Sequence, residues 1–255
     1  MTFEPQNEFE KSFLLAAKNP AYRPQFYKDL ANSDIYMISE GTLSAEKERV
    51  VISKGENIKL RKIEYNGKLY IPVFSSPQRI KQVLKAKIGY IAMNSIELFK
   101  ITKGSDLFLN YGSEICKEFT ADEIESIIDG SIWKQGKSFT VEKDTNVEIG
   151  QPANYPAGLT AALSDYFSGI KSVKCAYVAL MRLPETEERP HTLIGVECDG
   201  GWNEIVSGAS VVMKDINIPD SPVDFVRITG SNDPDETYFI EECEPFYKRK
   251  KFLFF

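Results

Sequence analysis

Histidine is almost missing from this chain: His191 is the only one among 255 residues. A Ser-His-Asp or Cys-His relay needs an imidazole to carry a proton near neutral pH, so any such relay must use that one residue. It follows Pro190 and lies close to Glu187 and Glu188, a setting that predicts a solvated loop side chain. Cysteine is scarce too, with four residues at 116, 175, 198 and 243 and no pair at the two-residue spacing of a zinc knuckle or redox motif. With one histidine and scattered thiols, a zinc site is not expected. No run of apolar residues approaches the roughly 20 that a membrane-spanning helix needs. Neither G-x-G-x-x-G nor G-x-S-x-G occurs, which removes the dinucleotide fingerprint and the nucleophile elbow. The opening MTFEPQNEFEK carries acids where a signal peptide carries bases. The expectation is a cytoplasmic protein with reduced, buried thiols and no cofactor.

What the chain does have is the balance of an ordinary folded protein, 42% hydrophobic and 27% charged, with a net charge of −6. That net charge weighs against a general nucleic-acid binder. The charge is also segregated. Positions 47–103 hold 13 basic residues against four acidic ones, and positions 181–245 hold 15 acidic residues against four basic. Such regions are solvated surfaces, or they steer a partner of opposite charge, or they attract one another.

Periodicity predicts two domains, residues 1–132 and 139–255. In the first, Phe9, Phe13, Leu14 and Ala17 mark a helix stopped by Asn19-Pro20, and a short helix follows from Pro24 with Phe26, Tyr27 and Leu30 inward. Asp34 to Ile38 reads as a strand and 41–55 as a loop. Strands over 58–65 and 68–74 flank Asn66-Gly67, a type I′ hairpin signal, and Pro72 places the second strand at an edge or a bulge. Ser76-Pro77 opens a helix with Ser76 as its cap. A strand over 88–93, a helix over 95–101, a strand over 106–110 and a capping box at Thr120-Ala-Asp-Glu123, closed by Gly130, complete the unit.

After a linker at 133–138, the second domain reads as a strand over 139–149, a helix from Pro156 to Gly169, strands over 173–183 and 192–198, a helix with Trp202, Ile205, Ala209 and Val212 inward, a strand over 223–229, and an acidic loop. Strand, helix, strand, strand, helix, strand is the order of a split βαβ, ferredoxin-like sandwich. The fold class is therefore α+β: two mixed α/β sandwiches.

Two motifs fall short of a site. Gly130-Ser-Ile-Trp-Lys-Gln-Gly136-Lys137-Ser138 has five residues between its glycines where a phosphate-binding loop has four. Asp233, Asp235 and Glu236 lack the glycine and closing glutamate of a calcium loop. The binding candidates are instead Phe74, Ser76, Arg79, Lys81 and Asn110, around a groove where Arg79, Lys81, Lys85 and Lys87 follow the Ser76 cap. The second set is Phe246 and Tyr247 before Lys248-Arg-Lys-Lys251, either core residues or a docking tail.

Several stretches resemble the SseB (enhanced serine sensitivity) family. Tyr70-Ile-Pro-Val-Phe-Ser-Ser-Pro-Gln-Arg79 is similar to its Y-x-P-V-F-T-S-x-x-R/L segment. Leu107 to Ile128, with Asn110, Ser113, Phe119 and Glu123-Ile124, is similar to its next block. Pro152 to Phe167, Ala176-Tyr-Val-Ala179, Pro222-Val-Asp-Phe225 and Pro245-Phe-Tyr-Lys-Arg249 are similar to its C-terminal domain. One departure is Tyr111, where the family turn carries proline and with it a fixed φ. The resemblance implies a bacterial cytoplasmic protein tied to a phenotype in which raised dosage makes cells sensitive to serine, and it brings no catalytic residue, cofactor or substrate.

The resulting expectation is a non-enzymatic binding or regulatory protein that contacts a protein partner or an anionic ligand, not nucleic acid or membrane. The alternatives are an enzyme or effector of amino-acid metabolism acting on a small metabolite, and a self-association module.

Overall fold

The computed structural model describes residues 3–38, 60–84, 89–134, 147–184, 189–230 and 234–250, positions 234 and 235 by backbone alone. It is α+β and divides into two compact units, Met1–Ile132 and Trp133–Phe255. The expected loop at 41–55, most of the strand at 139–149, Lys85, Lys87, the motif's Gly136 to Ser138, Asp233 and the tail from Lys251 lie outside the described residues.

Unit 1 begins with α1 (Glu8–Lys18) and α2 (Arg23–Ala31), joined at Asn19-Pro20 as the sequence indicates. Its strands are β1 (Asp34–Ile38), β2 (Ile63–Tyr65), β3 (Lys68–Phe74), β4 (Tyr90–Asn94), β5 (Leu107–Leu109) and β6 (Lys117–Phe119). Three more helices are α3 (Pro77–Val83), α4 (Ser95–Ile101) and α5 (Ala121–Ile128). The sheet runs β4-β1-β3-β5-β6, with β2 hairpinned onto β3. Asn66 and Gly67 both have positive φ, 50° and 76°, as the type I′ turn requires. The strand β6 was not legible, because three residues are too short a run to alternate visibly.

Contrary to the sequence expectation, β3 is a central strand. Ile71 N–H donates to Asp106 and the Val73 carbonyl accepts from Asn110, so these two residues face β5. The nitrogen of Pro72 between them faces the other way. There the partner changes, with residues 68–70 paired to β2 and 73–74 to β1. The missing donor therefore falls at the joint between two ladders.

The two sheet faces are covered differently. Tyr36 opposite Phe74 and Pro72 opposite Phe108 share one face, and Ile38 and Phe74 meet Ile80 of α3 there. On the other face Leu107 lies opposite Phe119. Phe119 joins a stack that runs through Phe26 to Phe9 and Phe13, with centroids 5.1–6.4 Å apart. Each such ring contributes roughly 1.5–3 kcal/mol by leaving water.

Unit 2 contains β7 (Glu148–Gly150), α6 (Ala157–Ser168), β8 (Val173–Arg182), β9 (His191–Cys198), α7 (Trp202–Met213), β10 (Val223–Ile228), α8 (Pro234–Glu242) and β11 (Tyr247–Lys248). The expected element order is present, but the sheet order is not that of a split βαβ. It runs β10-β9-β8-β11, with β7 also on β8. The hairpin β8–β9 fills the centre and β10 pairs directly with β9 in parallel, so the first strand does not enter between β9 and β10 and adds antiparallel to the far end of β8. The acidic segment near 236 is a helix and not a loop. Pro234 suits its first turn, Phe239 points inward, and Cys243, just past its end, joins Phe239 in the same core cluster. Phe239 fits because position 195 has no side chain: a Cβ on Gly195 would lie 3.1 Å from its ring.

Helices α6 and α7 touch at Gly208, where an added Cβ would sit 1.8 Å from the Tyr166 hydroxyl. Gly208→Ala should therefore destabilise unit 2 by about 1–3 kcal/mol in urea unfolding. Combining it with Tyr166→Leu should recover part of the loss, and an unchanged midpoint for Gly208→Ala alone would contradict the close approach.

Candidate functional site

The polar residues of the Tyr70–Arg79 stretch converge on one carboxylate. Asn7 caps α1, its side chain accepting from the Glu10 N–H at 2.7 Å, and Glu10 reaches back to accept from the Gln6 N–H at 2.9 Å. This is a variant of the capping box, with asparagine as the cap and the return bond made to the N–H of the residue before it. Glu10 sits beside Phe9 on the inward face and is fully buried. There Arg79 of α3 meets it bidentately, Nη2 at 2.6 Å from Oε2 and Nε at 3.2 Å from Oε1. Ser75 and Ser76 hydroxyls donate to Oε1 at 2.6 and 2.9 Å. The carboxylate thus accepts from five donors.

A second layer holds the first. Asn110, fully buried at φ 55°, donates from Nδ2 to Ser75 Oγ at 2.8 Å and accepts from the Ser75 N–H at 2.9 Å. Asparagine tolerates the left-handed region better than most residues. Arg79 also donates to Gln82 and to the Glu4 carbonyl, and its guanidinium lies 3.7 Å above the Phe3 ring. Asn7 donates to the Ser75 carbonyl, and the Phe3 N–H to Glu114. One ion pair thereby ties residues 3–7, α1, the end of β3, α3 and the turn after β5.

This places each residue singled out from the sequence. Phe74, Ser76, Arg79 and Asn110 are buried, while Lys81 is exposed on α3. Ser76 occupies the cap position of α3 but makes no side-chain cap bond; its hydroxyl donates to Glu10. Arg79 faces an internal carboxylate where an external anion was expected. Sequence reading missed Glu10; the Asn7-x-x-Glu10 spacing was its available signal.

In unit 2, Phe246 and Tyr247 pack on Phe167 at 6.3 and 5.9 Å, Phe246 half-buried and Tyr247 buried. Lys248, Arg249 and Lys250 stay exposed, with the Arg249 N–H on the Lys174 carbonyl and its guanidinium on the Lys171 carbonyl. His191 corrects the sequence expectation. It is buried as the first residue of β9, with Nε2 2.9 Å from Asp224 Oδ2 on the parallel neighbour β10. Glu236 accepts from the Thr229 N–H and hydroxyl and from the Gly230 N–H, a helix-start contact. Among the described residues no group of three or more His, Cys, Asp or Glu is placed to hold a metal ion.

Residues 12–126 match the SseB protein N-terminal domain and residues 141–249 the SseB protein C-terminal domain. The chain is 30% identical over 247 residues to Protein SseB of Escherichia coli (strain K12), covering 97% of this chain and 94% of that one. This chain belongs to the SseB family. Protein SseB of Shigella flexneri is similar to the same extent. No solved structure matches. In this SseB-family chain the departure at Tyr111 is accommodated by packing: its ring meets Phe108 edge-on at 5.4 Å and Tyr65 at 6.1 Å.

Burial by itself raises the Glu10 pKa, but Arg79, Ser75, the Gln6 N–H and Ser76 outweigh it and hold the carboxyl below its ordinary range. A depressed carboxylate stabilises the fold above its unfolded pKa, about 4.3, and that contribution fades as pH falls through the folded value. Acid titration of unit 1 stability should show this loss below about pH 4. In Glu10→Gln the acid-dependent step should shrink, and stability at pH 7 should fall by about 3–5 kcal/mol because Arg79 stays buried without its anion. A Glu10→Gln chain as stable as the parent would contradict the assignment.

Proposed function

We propose that this chain is a non-enzymatic binding and regulatory protein of the bacterial cytoplasm, acting through contact in the serine-sensitivity trait for which its family is named. The supporting observation is that Ser75, Ser76, Arg79 and Asn110 are occupied by one another and by Glu10. These residues build a scaffold, and recognition falls to exposed side chains around the sheet face that α3 covers. Tyr90 meets Tyr36 edge-on at 5.6 Å at one end of that face, and Tyr65 meets Phe108 at 5.2 Å at the other. Both tyrosines are exposed, at 43% and 38%. Arg61, Lys62 and Lys81 are also exposed. Aromatic rings with flanking cations suit an acidic protein segment, where ring burial supplies affinity and charge supplies steering.

Pull-down from the native host with the parent and with Arg61→Glu/Lys62→Glu/Lys81→Glu tests this reading. The expected result is a protein retained by the parent and lost from the variant, with unchanged melting. An identical partner list would contradict it. L-serine should leave the melting temperature unchanged; a saturable rise would favour the metabolite-effector reading, since a ligand at a hundred times its Kd stabilises by about 2.7 kcal/mol.

A further inference from the structure

Phe3 and Glu4 are held as a bound peptide is held. The Phe3 ring is buried between the Arg79 guanidinium, 3.7 Å above it, and the edge of Phe13, 6.4 Å away. The main chain is gripped by side chains of the receiving elements, with the Phe3 N–H on Glu114 Oε2 at 3.1 Å and the Glu4 carbonyl on Arg79 Nη2 at 2.5 Å. Apart from the ring, these two contacts reach only backbone atoms, so they suit any extended segment with an aromatic residue followed by an accessible carbonyl. Next to Glu114 in the chain, Ser113 Oγ is buried and, among the described residues, has no hydrogen-bond partner. The Glu10–Arg79 pair lies beneath, and its carboxylate takes only the Gln6 N–H from residues 3–7, so the Phe3 ring and the two backbone bonds of Phe3 and Glu4 can exchange while Gln6 and Asn7 stay in place.

We infer that the cleft between α1, α3 and the turn after β5 is a peptide-binding site, occupied in cis by Phe3 and Glu4, whose exchange partner is a protein segment bearing an exposed aromatic residue. This rests on the proposed binding role but uses a different surface from the charge-reversal pull-down, so each can fail alone. The resident segment competes intramolecularly and lowers apparent affinity by the fraction of time the cleft is open.

The test is fluorescence anisotropy with a labelled peptide of residues 1–8 against the full chain, its Phe3→Ala variant and its Phe3→Leu variant. Phe3→Ala should bind the peptide about ten-fold or more tightly than the parent, because its own ring no longer competes. Phe3→Leu keeps apolar volume, removes the ring under the cation, and should show the same direction even if Phe3→Ala melts early. A peptide with alanine in place of phenylalanine should not bind. Equal isotherms for all three chains would overturn the inference. So would a concentration-dependent dimer without peptide capture, which would mean exchange of the segment between copies.

Discussion

The Glu10–Arg79 pair determines the interior of unit 1. Two full charges cannot be taken from water unless each finds partners, and here the carboxylate gathers two guanidinium donors, two hydroxyls and a backbone N–H. Each donor belongs to a different part of the chain or fixes a neighbour that does. Asn110 positions Ser75, Asn7 links the α1 cap to the end of β3, and Phe3 covers the guanidinium. The pair therefore restricts which arrangements of α1, β3, α3 and the β5–β6 turn are compatible with satisfied polar groups. The apolar stack of Phe9, Phe13, Phe26 and Phe119 supplies the larger share of the driving force, and it is less particular about geometry.

Much of the architecture was legible from local signals. Asn66-Gly67, Pro20, Thr120 and the Leu159 to Phe167 stripe each state their element through turn chemistry or spacing. What stayed hidden depended on distant partners. The central position of Pro72 follows from a change of ladder partner that no window of sequence contains. The unit 2 sheet order follows from the direct pairing of β10 with β9, about 30 residues away in the chain. His191 became a buried partner of Asp224 through strand pairing across 33 positions. Helix α8 was obscured by its acids, although Phe239 and Cys243 are spaced for an inward face.

The candidate site shows the same division. Ser76, Arg79 and Asn110 were identified by residue type and by family resemblance, and the structure gathers them with Ser75. Their role differs from the one their types suggested, because a neighbouring helix delivers a carboxylate to the place where an external anion was anticipated. An arginine after a serine-proline helix start reads as an anion receptor unless its own chain supplies the anion. Here it does. The stretch that most resembles the family, in this chain, is written in residues that hold the fold together.

A double-mutant cycle with Glu10→Leu and Arg79→Leu tests that central role most directly. Each single replacement strands the other charge in the interior, whereas the pair removes both. The account predicts strong coupling, with the double variant more stable than at least one single variant and a coupling energy above about 2 kcal/mol. Strictly additive losses would show that the two side chains do not depend on each other, and would contradict the claim that this buried pair organises the unit.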